Sequence, residues 1–263
     1  MVFDATDRRV LITGGSSGIG AALAVAFAQA GATVGVAARR QDRLGEVLVR
    51  CQEHSPASRM WVTDLSDPAA ADELAVAAAE GLGGVDVLVN CAGMPKRRHV
   101  TRIDADTVDL VMQVNFLSAA RLTLALLPRM LEKGEGRIVN ISSVAATLSS
   151  PGEAAYSASK SALAVFSESL AVDLWDTGVK VMVVYPGVVD TELFHLPDND
   201  PLIAGVEAIP VDEAVRAVFD GLERDALQVY VPEYFGKLAS AKAADLEGFL
   251  AGTAEFVRSR REG

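Results

Sequence analysis

The amino-acid sequence predicts a single-domain α/β fold, a doubly wound parallel sheet with helices on both faces. Three observations carry that expectation. Short runs rich in valine and isoleucine alternate with longer runs rich in alanine and leucine from residue 9 to residue 231. Several of the short runs are nearly continuously apolar, which indicates burial on both faces and parallel pairing. No linker, internal repeat or low-complexity stretch divides the 263 residues, a length that suits one core over residues 1–263.

Taken in order, residues 9–13 read as the first strand and 20–30 as a helix. Residues 33–38 form the next strand, with a helix over 42–51. A third strand is expected at 60–62, then an Ala-rich helix beyond Pro68, and a fourth strand at 85–89. A long helix over 108–131 leads to a strand at 137–141, a helix over 154–175 and a strand at 179–185. Residues 191–210, interrupted by Pro197, Asp198, Asn199, Asp200 and Pro201, read as a loop or flap. A helix resumes over 211–223, and 228–231 is the last strand. Residues 233–263 form a C-terminal helical extension. There Leu246, Phe249, Leu250, Thr253 and Val257 recur at helical spacing, and the face is expected to pack on its own subunit or on a neighbour.

Composition narrows the partners. Lysine and arginine number 24 against 35 acidic residues, a net charge of −11, the wrong sign for a phosphate backbone. Acidity also disfavours anionic lipid surfaces, and no stretch of about 18 uncharged apolar residues is apparent, so no membrane span is expected. Asp4 and Asp7 interrupt the first residues, which do not read as a secretion leader, and a cytoplasmic location is expected. Cys51 and Cys91 are far apart and in no metal-ligand spacing; they read as reduced thiols, and no metal site is expected.

The turn after the first strand reads Thr13-Gly14-Gly15-Ser16-Ser17-Gly18-Ile19-Gly20. Its glycines let the backbone approach a pyrophosphate, and the helix start directs N–H groups at the anion. The second strand ends at Ala38, where an acidic side chain would bind a ribose 2′-hydroxyl, and Arg39 and Arg40 follow. A guanidinium grips a 2′-phosphate with paired donors, so NADP(H) is expected in preference to NAD(H).

With Asp64, Asn90-Cys91-Ala92-Gly93, Asn115, Ser143, Tyr156 with Lys160, and Pro186-Gly187 with Thr191 in that order, the sequence resembles the short-chain dehydrogenase/reductase family over roughly residues 8 to 192. Cys91 replaces the family's more usual asparagine, and Met182 stands where many bacterial members have asparagine. The resemblance implies a Rossmann-type sheet of about seven strands, a nicotinamide site at the carboxyl ends of its strands, and a homodimer or homotetramer. It implies that Asp64 and Leu65 touch the adenine and that Asn90, Ala92 and Gly93 line the adenosine ribose side and steady the fourth strand. Pro186, Gly187, Val189 and Thr191 would hold the nicotinamide end, and residues 191–210 would cover the substrate.

The chemistry suits those residue types. Tyr156 and Lys160 are four apart on a helix, hence on one face. A free phenol titrates near ~10, and a nearby ammonium is expected to lower that value. Ser143, rather than Ser142, would hold the substrate oxygen against Tyr156, and Asn115 resembles a residue that fixes a water in a relay to the lysine. The expected reaction is hydride transfer between the nicotinamide and a ketone, aldehyde or secondary alcohol. Val144, Leu148, Leu193 and Phe194 suggest a hydrophobic substrate. Two other readings are a 3-oxoacyl-carrier-protein reductase, disfavoured by the acidic run Val172-Asp173-Leu174-Trp175-Asp176, and a non-catalytic NADP sensor. Pro95-Lys96-Arg97-Arg98-His99 reads as a solvated loop rather than an anion guide, and His195 as a surface residue.

Overall fold

The computed structural model describes residues 3–196, 198–201 and 207–260, without the side chains of Phe194 and His195. Expectations placed on Pro197 and on those two side chains lie outside the described residues. The strands are β1 (Arg9–Thr13), β2 (Thr33–Ala38), β3 (Arg59–Val62), β4 (Val87–Asn90), β5 (Gly136–Ile141), β6 (Val179–Pro186) and β7 (Gln228–Val231). Every pairing is parallel, in the order β3-β2-β1-β4-β5-β6-β7. The winding reverses between β1 and β4, which opens a crevice at the carboxyl ends of the strands. Burial follows position: every residue of central β4 is buried, whereas both ends of edge strand β3 are exposed.

The connecting helices are α1 (Gly18–Gln29), α2 (Gln41–Gln52), α3 (Ala70–Leu82), α4 (Ala105–Met112), α5 (Ser118–Lys133), α6 (Ala145–Leu148), α7 (Ala154–Asp173), α8 (Val211–Glu223), α9 (Tyr234–Ala244) and α10 (Leu246–Ser259). The two-residue period of β1 divides its side chains between two cores. Val10 and Ile12 join Phe27 of α1 and Phe219 of α8, whose rings lie 4.8 Å apart. Leu11 joins Leu74 of α3, Leu122 of α5 and Leu170 of α7 on the other face. Burying one such side chain stabilises the fold by about 1.5–3 kcal/mol.

At the opposite end of the sheet from the crevice, buried Asp86 accepts hydrogen bonds from the Arg9 backbone (2.9 Å), the Arg9 guanidinium (2.8 Å) and Lys133 (2.7 Å). Burial alone would raise this carboxyl's pKa. The Arg9 and Lys133 contacts outweigh it and hold the group well below the usual carboxylate range.

The single long helix expected from the sequence is a composite. A π turn, Gln113–Leu117, joins α4 to α5. The run Ala105–Lys133 is long and apolar enough to cross a membrane by length and composition, although Arg121 and Arg129 interrupt it and it holds no stretch of 18 uncharged residues. Half of its apolar window is buried, α5 packs on α3, and α4 packs on α7. Within 191–210 the chain forms a short 3-10 turn, Glu192–His195. Its ends meet at the sheet, where Val189 bridges Ile209 and Asp190 N–H donates to the Ile209 carbonyl (2.9 Å).

Candidate active site

The crevice at the β1–β4 switch point opens into a cavity of 1260 Å³. Ligand pockets usually span about 300–1,000 Å³, so this one has room for a dinucleotide and a second molecule. The β1–α1 turn forms its floor. Gly14 has φ +70, and a Cβ there would stand 2.8 Å from the Ala92 Cα; one on Gly20 would collide with the Gly14 carbonyl. Thr13 Oγ1 accepts from the backbone N–H of both Cys91 and Ala92 (3.1 Å each), binding the turn to the end of β4. Ser17 makes no side-chain cap to α1, and the first turn of α1 has no acidic residue, so the positive helix end is directed at the cavity. These features fit a pyrophosphate.

Ser16, Ser17, Gly18, Ile19, Arg39, Arg40, Asp64, Leu65 and Gly93 all line the cavity, as do Pro186, Gly187, Val189 and Thr191. Arg40 donates to Ser17 Oγ (2.6 Å), Ser16 Oγ (3.3 Å) and Glu192 (2.8 Å), and Glu192 also pairs with Arg43. Arg39 is exposed at the rim. Asp64 titrates below its ordinary value. Burial opposes that shift, while hydrogen bonds from Ser66 and the charge of Arg39 produce it.

On the opposite wall Tyr156 lies one helical turn from Lys160 on α7, with the ammonium 5.9 Å from the ring centre. Ser143 lies close enough to Tyr156 to favour its phenolate, and its Oγ accepts from Ala145 N–H (3.1 Å). Ser142 instead donates to the Lys160 carbonyl (2.9 Å). Lys160 Nζ donates to the Ile141 carbonyl (2.8 Å), and burial lowers its pKa to about 8. The expected acidification of the phenol by Lys160 is corrected here. Burial and the charge of Glu153 raise Tyr156 above its ordinary value, against a smaller lowering from Ser143. Burial likewise pushes the Cys91 thiol up to about 11, leaving it protonated at neutral pH.

Two expected site residues stand behind the wall rather than on it. Asn90, expected both beside the ribose and as a brace of the fourth strand, serves as the brace: it donates to Asn140 (2.8 Å) and Thr123 (3.3 Å) in the core, tying β4 to β5. Asn115 occupies the π turn. Its Oδ1 accepts from Met94 N–H (2.7 Å), and its Nδ2 donates to the Met94 carbonyl (3.0 Å) and to Ser159 (3.0 Å). It thereby fixes the loop after β4 to α7.

The 95–99 run, expected as a solvated loop, is buried over its first three residues, and His99 alone is exposed. Pro95, Lys96 and Arg97 are buried and face the cavity. Lys96 and Arg98 pair with Asp198, and Arg102 pairs with Asp200. Arg97 takes Asn199 Oδ1 on its backbone N–H (2.7 Å), donates Nε to the Asp200 carbonyl (2.9 Å), and stands 3.8 Å from Glu153. Burial raises the Glu153 pKa, with Arg97 opposing. Its place three residues before Tyr156 was the one available signal that it belongs here.

A family model described as short chain dehydrogenase matches residues 8–200. A short chain dehydrogenase of Pseudocercospora fijiensis (strain CIRAD86) is 39% identical over 195 residues, 73% of this chain and 62% of that protein. The chain therefore spans less than two thirds of that relative's length. Among solved structures, a short-chain dehydrogenase from Sphingobium yanoikuyae in complex with NADPH superposes with TM-score 0.82 at 29% identity, covering 93% of this chain and 95% of that one. The bulky-bulky ketone specific alcohol dehydrogenase from Comamonas testosteroni superposes with TM-score 0.77 at 27% identity, over 91% and 94%.

Proposed function

This chain belongs to the short-chain dehydrogenase family, and on that premise we propose that it is an NADP(H)-dependent oxidoreductase of hydrophobic ketones, aldehydes or secondary alcohols. The observation that carries the reading is that Ser143, Tyr156 and Lys160, with the Lys160 ammonium 5.9 Å from the Tyr156 ring, line the same cavity as the glycine turn. When bound, the nicotinamide supplies or accepts the hydride, and its oxidised ring supplies a positive charge. Tyr156 donates the proton to the substrate oxygen in reduction and takes it back in oxidation. Because burial and Glu153 keep the phenol protonated, the chain's own groups prepare it as an acid. Ser143 holds the substrate oxygen against that hydroxyl.

Support for the phosphorylated cofactor comes from Ala38, which leaves no carboxylate at the end of β2, and from Arg39 and Arg40 at the rim. The likeness to the Comamonas enzyme supports a bulky carbonyl. Paired assays with NADPH and NADH over a ketone panel test the reading. Tyr156→Phe is expected to lower kcat by about 10²–10⁴ while the Kd for NADPH stays within threefold. Arg40→Ala is expected to weaken NADPH about tenfold and leave NADH unchanged. Full turnover in the phenylalanine variant, or equal losses of both cofactors in the alanine variant, contradicts the corresponding role.

A further inference from the structure

The C-terminal helix turns an apolar stripe toward the same cavity. Phe249, Thr253, Phe256, Val257 and Arg260 of the α10 region line it, and their spacing places them along one side of a helix. From Phe249 to Val257 the stripe runs roughly 12 Å at 1.5 Å per residue. No residue of α10 is buried, so no protein core covers this face. Leu148 and Leu196 line the cavity as well.

Local contacts hold α10 over the site. Lys242 of α9 donates to the Thr147 carbonyl (2.8 Å) and to Ser149 (2.7 Å), in the segment that follows Ser143. The Phe235 ring packs on Gly187, where an added Cβ would meet it at 2.7 Å. Asp245 caps α10 by accepting from Gly248 N–H (2.9 Å), which sets the new helix direction after α9. Thr253 already donates its hydroxyl to the Phe249 carbonyl (2.9 Å), so the middle of the stripe demands no polar partner from the cavity. Arg260 lies over the Phe256 ring at 5.3 Å, closing the far end.

We propose that this stripe is a binding subsite for the apolar body of the substrate, a fused-ring or medium-length alkyl group attached to the carbonyl carbon that Tyr156 faces. The assignment rests on the oxidoreductase reading, which it deepens. A second copy of this chain is the other occupant that an apolar helix face invites. The stripe, however, shares one cavity with Tyr156 and Ser143, whereas the exposed Leu246 and Leu250 of α10 lie off that cavity.

The test uses the full chain and methyl ketones from 2-butanone to 2-nonanone with NADPH, comparing wild type with the double variant Phe249→Ala, Val257→Ala. In wild type, kcat/KM is expected to climb with chain length, by about threefold to fourfold for each fully buried methylene. In the double variant the climb flattens, with a loss of at least tenfold on 2-nonanone and less than twofold on 2-butanone. Thr253→Asp, which charges the stripe without enlarging the cavity, gives the same pattern. The calorimetric Kd of 2-nonanol weakens at least tenfold in both variants, a readout independent of turnover. If wild type binds 2-nonanol through the stripe and reduces no ketone, the oxidoreductase reading fails while the subsite stands. If wild type reduces ketones and the variants lose activity equally at every chain length, the subsite is overturned. A changed oligomeric mass in the variants with an unaltered length dependence overturns it too, and assigns the stripe to a neighbouring copy.

Discussion

Along the turn between β1 and α1 there is no room for one methyl group, because Gly14 lies against the Ala92 backbone and Gly20 against the Gly14 carbonyl. Across the cavity the wall comes from elements distant in the chain: the loop after β4, the start of α7, residues 198–200 and α10. The first side is shaped by backbone clearance and the second by paired charges and apolar side chains. Backbone clearance tolerates almost no substitution, since a neighbouring main chain cannot step aside. A wall of side chains can be re-cut one residue at a time, which is how one scaffold serves many substrates.

The largest effect is expected where clearance is smallest. Gly14→Ala adds a Cβ 2.8 Å from the Ala92 Cα at a φ of +70, which costs about 1–3 kcal/mol and pushes the turn out of place. NADPH affinity, read by fluorescence titration, should fall about 100-fold, with a lower melting temperature. A variant that binds NADPH within threefold of wild type would remove the distinction between the two sides.

An intermediate effect is expected at Arg97, which joins residues 199 and 200 to Glu153. Arg97→Met should raise the KM for a ketone about tenfold, the scale of one charge-assisted hydrogen bond. The kcat should stay within threefold and the NADPH Kd unchanged, and Arg97→Lys should restore part of the loss. A drop in kcat with KM unmoved would place Arg97 in the chemistry instead of in the wall.

The smallest effect concerns Lys160. Burial lowers its pKa from 10.5 to about 8, so the folded state disfavours the ammonium. Between those two values the unfolded chain holds the extra proton, so this group's contribution to stability rises as pH increases from about 8 to 10.5. Below about 8 the penalty is fully present. Lys160→Met should therefore melt a few degrees higher than wild type at pH 7, and the gap should narrow by pH 10. A gap that stays constant across that range would show that the ammonium is compensated by contacts beyond the Ile141 carbonyl.

Much of the fold was legible because its signals are local. Thr33–Ala38, Val211–Glu223 and Gln228–Val231 were bounded correctly, each by a change of period or by turn residues beside it. The glycine turn was legible for the same reason, and the residues expected along the cofactor path line one cavity except Asn90. Lys96 and Arg97 were misread because charge reports nothing about partners some hundred residues away, the Asp198 carboxylate for Lys96 and the Asn199 side chain and Asp200 carbonyl for Arg97. The face of α10 was visible as a period, yet a period does not say what lies opposite. The direction of the Tyr156 shift depends on burial and on Glu153, neither of which spacing to Lys160 reveals.

The π turn at Gln113–Leu117 carries one residue more than a regular helical turn would need. One residue advances an α-helix by about 100° of rotation. That offset lets α4 lean on α7, α5 lean on α3, and Asn115 reach Met94 and Ser159 at once. Deleting a single codon there would alter no reactive side chain, yet it would put the two halves of the helix out of phase. Leu122, Leu126 and Met130 would swing away from their core, or Asn115 would leave the loop it holds. This fold is thus vulnerable to a frame-preserving deletion at Asn115, behind the cavity wall and not on it.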